Sequence, residues 1–306
     1  MLRPALASLL LSLPQVALAE TPRVVTDIAP IHSLVAQVMG DLGTPELLVT
    51  ANASPHSFSL RPSQAGALEQ AQAVFWVGDG LTPWLEPLLD RLAPNAKNIE
   101  FLHRSETETL AFRTDAAFEA DGHDHGDHDG HDDHDDHSDV DPHAWLNPDN
   151  AAAWLAIIAS ELSVLDPENA DTYAANAQRA EADLHASTVE IERILAPAKG
   201  KTFIVFHDAF HYFEARFDVE ASAAISLGDA TAPGPARVER IQELVREKGV
   251  SCAFSEPQFS EGLVATVLDG TDARVAVLDP LGSTLPIGPS LYTEMLLGMA
   301  KAIAGC

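Results

Sequence analysis

The sequence is short of positive charge, of cysteine and of long apolar runs, and each shortage removes a class of function. Eighteen Lys and Arg stand against 46 Asp and Glu, a formal net charge of −28. So few cations cannot build the basic surface that nucleic acid or an anionic membrane requires; cationic partners are the expectation. Only Cys252 and Cys306 are present, too few thiolates for a cysteine-built zinc site. One apolar stretch stands out, Ala5 to Leu13, and it is too short to span a bilayer. With Arg3 before it and Ala17-Leu18-Ala19 ahead of Glu20, it reads as a secretory signal cleaved after Ala19. No cysteine follows it to carry a lipid, so the mature chain is expected to be soluble and exported, with a Gram-negative periplasm as its compartment. In an oxidising compartment the two cysteines are most simply a disulfide, closing 306 minus 252, or 54, residues.

What the chain does have is histidine and aspartate in one place. Glu119 to Asp139 contains His123, His125, His128, His131, His134 and His137, six of the thirteen histidines, interleaved with ten acidic residues and no anchoring apolar side chain. Such a run cannot pack and is expected to stay solvated. Removing its ten charges leaves a net charge of −18 on the rest of the chain. Imidazole and carboxylate at this density are ligands for zinc first, and for copper or nickel. The irregular spacing fixes no geometry, so the run is expected to bind metal weakly and at several places.

The remainder alternates short strands with amphipathic helices, the pattern of parallel α/β units. At 306 residues two domains are expected: an N-terminal α/β domain over 20–166, with 119–139 as a disordered loop, and a similar one over 198–306. Between them Glu168 to about Leu195 reads as one long helix with Tyr173, Ala177, Ala180, Leu184, Ile191 and Leu195 on one face. At 1.5 Å per residue it spans roughly 40 Å, a rigid spine (167–197) rather than a crossover. Two α/β halves on such a spine imply a cleft at the carboxyl ends of their strands.

The residues expected there are His56, His207, Glu256 and Asp279, with His143 held in Asp141-Pro142-His143-Ala144-Trp145. Three histidines from separate segments make an N3 metal site with a fourth position open to water or a carboxylate. That layout also suits a zinc hydrolase, although no HExxH glutamate lies between His207 and His211. The four-residue spacing of those two could place them on one helical face, and His211 is read as supporting or structural. His32, His103 and His185 have no partner signal and are read as surface or packing residues.

Pro55-His56-Ser57-Phe58-Ser59-Leu60-Arg61-Pro62-Ser63, Asp141-Pro142-His143-Ala144-Trp145-Leu146, Phe206-His207-Asp208-Ala209-Phe210 and Asp279-Pro280-Leu281-Gly282 together resemble the zinc- and manganese-specific solute-binding proteins of bacterial ABC importers. The resemblance covers almost the whole mature chain. It implies two α/β domains on a rigid helix, with the metal in the cleft. It implies metal ligation by His56, His143 and His207, a His- and acid-rich insertion where Glu119 to Asp139 stands, and a Cys252–Cys306 disulfide; weak accessory metal binding by that run remains the expectation from its composition. Some zinc members carry a carboxylate before the first ligand histidine; here Pro55 stands there. The fourth ligand is therefore expected to be water or Asp279, which matches a coordinating aspartate in other branches, with Glu256 a weaker candidate. A monomer that captures Zn²⁺ for a membrane permease is implied, and a periplasmic zinc metallochaperone is a possible donor. A manganese-binding role is the alternative, but neutral imidazoles favour zinc, whereas manganese prefers oxygen ligands. Long spines argue against a wide hinge, so only local loop changes are expected on binding.

Overall fold

The computed structural model describes residues 21–51, 53–113, 140–226, 233–259 and 261–306. The expected leader at 1–19 and the His-rich run at 119–139 lie outside them. Two four-stranded, wholly parallel sheets are present. The first contains β1 (Val24–Thr26), β2 (Glu46–Leu47), β3 (Ala73–Trp76) and β4 (Lys97–Glu100), in the order β2-β1-β3-β4. The second contains β5 (Phe203–His207), β6 (Ala223–Ser226), β7 (Cys252–Ser255) and β8 (Arg274–Val277), in the order β6-β5-β7-β8. The strand order repeats between the lobes, as expected for two similar halves.

Strands β1, β3, β5, β6 and β7 are short apolar runs buried along their length, as strands covered on both faces are, whereas the edge strands β2, β4 and β8 are partly exposed. On the outer face of the first sheet, α2 (Pro62–Gln70) and α3 (Glu86–Leu92) bury Leu68 and Leu89 against Val74 and Trp76. On the outer face of the second, α7 (Pro235–Lys248) and α8 (Glu261–Val267) close over Ile204, Ile225 and Ala253. Each such buried aliphatic side chain contributes about 1.5–3 kcal/mol.

The inner faces share one core. A continuous apolar cluster joins Phe75 and Phe101 of the first lobe to Phe203 and Phe254 of the second. The bridge between them is α1 (Ala29–Met39), α4 (Pro148–Leu165), α5 (Ala170–Leu195) and α9 (Leu291–Ala304), which pack on one another. Helix α5 is the expected spine, 26 residues long. It buries Tyr173, Ala177, Ala180, Leu184, Thr188, Ile191 and Leu195. Thr188 fills the gap the sequence leaves between Leu184 and Ile191; its hydroxyl donates to the Leu184 carbonyl at 3.0 Å, which lets a polar residue sit in an apolar stripe. The Cys252–Cys306 disulfide forms and ties the start of β7 to the end of the chain beyond α9.

Helix α3 begins only at Glu86, since Pro83 and Pro87 fit outside a helix or in its first turn but not within it. Strand β2 ends at Leu47, although the Leu48 and Val49 amides still donate to the Thr26 and Asp27 carbonyls. One expectation shifts. Strand β5 runs through His207 and α6 (His211–Phe217) starts at His211, so these two histidines do not share a helix.

Ala111 pairs with Val140 in an antiparallel bridge, and the Asp141 amide donates to the Leu110 carbonyl at 2.8 Å. Among the described residues no helix is long and apolar enough to cross a membrane.

Candidate metal centre

Strands β5 and β7 are parallel neighbours, so their carboxyl ends emerge side by side. His207 closes β5 and Glu256 follows β7, and the His207 Nδ1 meets Glu256 Oε1 at 2.6 Å. Both are buried. An ionised carboxylate can only accept, so Nδ1 carries the proton and Nε2 keeps its lone pair.

His143 is fixed in the same manner by a residue two positions earlier. Asp141 Oδ1 accepts from the His143 backbone amide at 3.0 Å and from its Nδ1 at 2.7 Å. Pro142 stiffens the turn, and Tyr212 of the second lobe donates its hydroxyl to the Asp141 carbonyl at 2.8 Å. Beyond it, Trp145 Nε1 donates to the Pro280 carbonyl at 2.8 Å while Tyr292 donates to the Trp145 carbonyl at 2.6 Å. His143 is thus held by groups from both lobes.

His56 arrives on the loop after β2. Trp84 Nε1 donates to the Pro55 carbonyl at 2.7 Å, and the Trp84 ring packs against Phe58 with centroids 5.5 Å apart. The His56 ring stands 5.5 Å from the His143 ring, centroid to centroid, and His207 stands 5.3 Å from His143. One ligand atom from each of the three imidazoles falls within 4.8 Å of the others. The Nε2 atoms of His143 and His207 face each other at 3.4 Å. With both Nδ1 atoms committed to carboxylates, two lone pairs point at one spot, an arrangement that a cation stabilises and neutral imidazoles alone do not.

Asp279 is not brought to the cluster. Its Oδ1 accepts from the Leu281 amide at 3.1 Å and its Oδ2 from the Ser283 hydroxyl at 2.9 Å, so it caps its own loop. Pro280 and Leu281, not Asp279, reach the cavity wall. His211 lies behind the site, its Nδ1 3.9 Å from Asp141 Oδ2. Burial foremost, and Arg113 next, hold its pKa below the ordinary imidazole range. Beside His207, Arg113 forms a two-pronged ion pair with Asp208 and reaches Glu214 Oε2 at 2.7 Å. Burial pushes the Glu214 carboxyl up, against the pull of Arg113.

The other histidines lie apart. His32 is buried, with Nε2 3.0 Å from the Pro45 carbonyl, and His185 is exposed on α5. His103 pairs with Glu100 at 3.2 Å in a surface group that includes Asp79, a juxtaposition that local spacing did not signal.

The cavity at the three histidines is lined also by Trp145, Gln258 and Phe259 and has room for about one water molecule or ion. Sequence reasoning named its histidines but not Gln258, which stands two residues past Glu256 in no recognisable spacing.

The family model described as ZnuA, Zinc-uptake complex component A periplasmic, matches residues 24–306. The chain belongs to this ZnuA family. A High-affinity zinc uptake system protein ZnuA from Paracoccus denitrificans is 44% identical over 322 residues, covering 100% of this chain and 99% of that protein. The protein of the same description from Brucella abortus is 42% identical, covering 94% of this chain and 92% of its own length. Among solved structures, a crystal structure of ZnuA aligns with a TM-score of 0.75 at 27% identity, covering 93% of this chain and 99% of that one. A zinc-bound ZnuA deletion mutant lacking 138-173 aligns at 0.74 and 27% identity, covering 92% and 97%. The ZnuA fold therefore extends over both lobes and the helical layer between them.

Proposed function

We propose that this protein captures Zn²⁺ in the periplasm and delivers it to a membrane ABC permease, with His56, His143 and His207 as the protein ligands. The observation that carries this reading is the convergence of three imidazoles, two of them oriented Nε2-inward by Asp141 and Glu256. Carboxylate-backed histidines are the usual first ligands of zinc. The relatives named as high-affinity zinc uptake proteins support the same cargo. A role in transport rather than catalysis fits a cavity with room for about one ion or water beside the histidines, and carboxylates already engaged in hydrogen bonds. The six histidines of the 119–139 run serve, on this reading, as weak accessory sites that raise the local zinc concentration.

The test is zinc titration against a chromophoric chelator. His143→Ala and His207→Ala are expected to lose the tight site, while deletion of 119–139 keeps it and lowers only the number of weak equivalents. Abolition of the tight site by that deletion would overturn the ligand assignment. Equal stoichiometry in the intact and deleted proteins would overturn the accessory role.

A further inference from the structure

Three histidines leave a zinc ion one ligand short of its preferred tetrahedron, and of the candidates named from the sequence no protein side chain supplies it, which leaves water. Pro55 has no donor side chain, Asp279 caps its own loop, and Glu256 is engaged with the His207 Nδ1. Among the described residues on the cavity wall, Trp145 donates its Nε1 to the Pro280 carbonyl, which leaves Gln258 as the further polar side chain. Its backbone is set by a turn. The Phe259 amide donates back to the Glu256 carbonyl at 3.1 Å, making a tight turn across Gln258. Phe259 then stacks on Phe206 with centroids 4.5 Å apart and meets the His207 ring edge-on at 5.4 Å. Gln258 is therefore held between two residues that both touch His207.

Both Gln258 Oε1 and Nε2 are shielded from solvent, and among the described residues neither is hydrogen-bonded to a protein group. Leaving a buried polar atom unpaired costs about 1–3 kcal/mol, so an amide kept in such a place has a partner in its working state. We propose that Gln258 is the positioning residue of the fourth coordination site: its Oε1 accepts a hydrogen bond from the water that completes the tetrahedron around the captured zinc. Beside the histidines the cavity has room for about one ion or water, so no ligand much larger than a water fits there. A neutral amide also suits a carrier, since it steadies the water without adding the negative charge that would hinder release. This inference rests on the ligand set proposed above and concerns the position that set leaves open.

The experiment compares the full-length wild type, Gln258→Leu, Gln258→Glu and His143→Ala by chelator competition with Zn²⁺, by zinc X-ray absorption, and by the visible spectrum of the Co²⁺-substituted protein. The wild type is expected to show three imidazoles and one oxygen. Gln258→Leu, which removes only the polar atoms, is expected to weaken zinc about ten- to a hundredfold and to shift the cobalt bands while keeping three imidazoles. Gln258→Glu, able to ligate directly, is expected to bind more tightly than Gln258→Leu. Affinity within about twofold of wild type and an unchanged cobalt spectrum in Gln258→Leu would overturn the proposal, as would an affinity loss with unaltered bands, which would mark a packing role only. Direct ligation by the wild-type amide oxygen, seen as an unchanged cobalt spectrum on solvent exchange to D2O and no water proton relaxation, would also overturn it. A wild type without tight zinc, or a His143→Ala protein that binds as tightly, would overturn the functional reading as well; failure of the Leu variant alone leaves that reading standing.

Discussion

Replacing Glu256 by Leu removes the carboxylate behind His207 while keeping an apolar volume in its place. The Oε1–Nδ1 distance is 2.6 Å and both residues are buried, at 3% and 4% exposure, so solvent cannot substitute for the lost acceptor. A hydrogen bond to a charged group contributes about 1.5–3 kcal/mol. At about 1.4 kcal/mol per decade this is roughly a ten- to hundredfold loss of zinc affinity, the same range in which carboxylates behind metal-binding histidines act elsewhere. Glu256→Gln keeps an acceptor but loses the charge; since charge-assisted bonds are about twice as strong as neutral ones, it should forfeit about half of that free energy. Chelator competition at fixed pH and salt measures both variants, with denaturant unfolding of the zinc-free proteins confirming that they fold. A Glu256→Leu protein that folds and binds zinc within about twofold of wild type would refute the assignment of the Nε2-inward tautomer to His207.

Other consequences can be checked on the zinc-free chain. Arg113→Met strands Asp208 and Glu214, both buried, and should lower stability by about 3–5 kcal/mol, read as a fall in the denaturant midpoint; an unmoved midpoint would contradict the buried cluster. Fully buried Asp27 has its carboxyl pushed up to about 7 from 3.8 by loss of hydration, against backbone amides of Val77 and Ile28 that favour the charged form. The folded protein therefore holds this proton more tightly than the unfolded chain, and the associated stability is full below about pH 4 and lost as pH rises through about 7. Asp27→Asn should flatten that part of the stability-against-pH curve, and parallel slopes in the two proteins would count against it. Reducing Cys252–Cys306, which closes 54 residues, should cost about 4 kcal/mol on the chain-entropy model, measured by unfolding with and without reductant.

Much of this architecture is legible in the chain itself. Parallel α/β organisation follows from apolar runs alternating with helical periodicity, and the spine from the spacing Tyr173 to Leu195. Thr188 was not assigned to its buried face because a hydroxyl reads as exposed until its i−4 carbonyl is seen. The three cavity histidines were legible because each ends or follows a strand or sits in a Pro-stiffened segment. What spacing could not convey was which way the carboxylates turn. Glu256 and Asp279 each stand just past the end of a strand, β7 and β8, yet the first reaches its neighbour's His207 and the second folds back on Ser283. The His207–His211 spacing misled because it counts residues and not the strand-to-helix junction between them. Gln258 carries no pattern at all; only its shielded amide atoms, without a hydrogen-bond partner among the described residues, single it out.

The pairing of Ala111 with Val140 has a consequence of a different kind. Where a chain leaves and re-enters a fold at adjacent positions, the length between them is decoupled from the fold, because closing such a loop costs only about 0.6 kcal/mol per doubling. The chain length between those two positions can then change at little cost to the packing on either side of the bridge. The two lobes and their cleft can stay constant while that length varies.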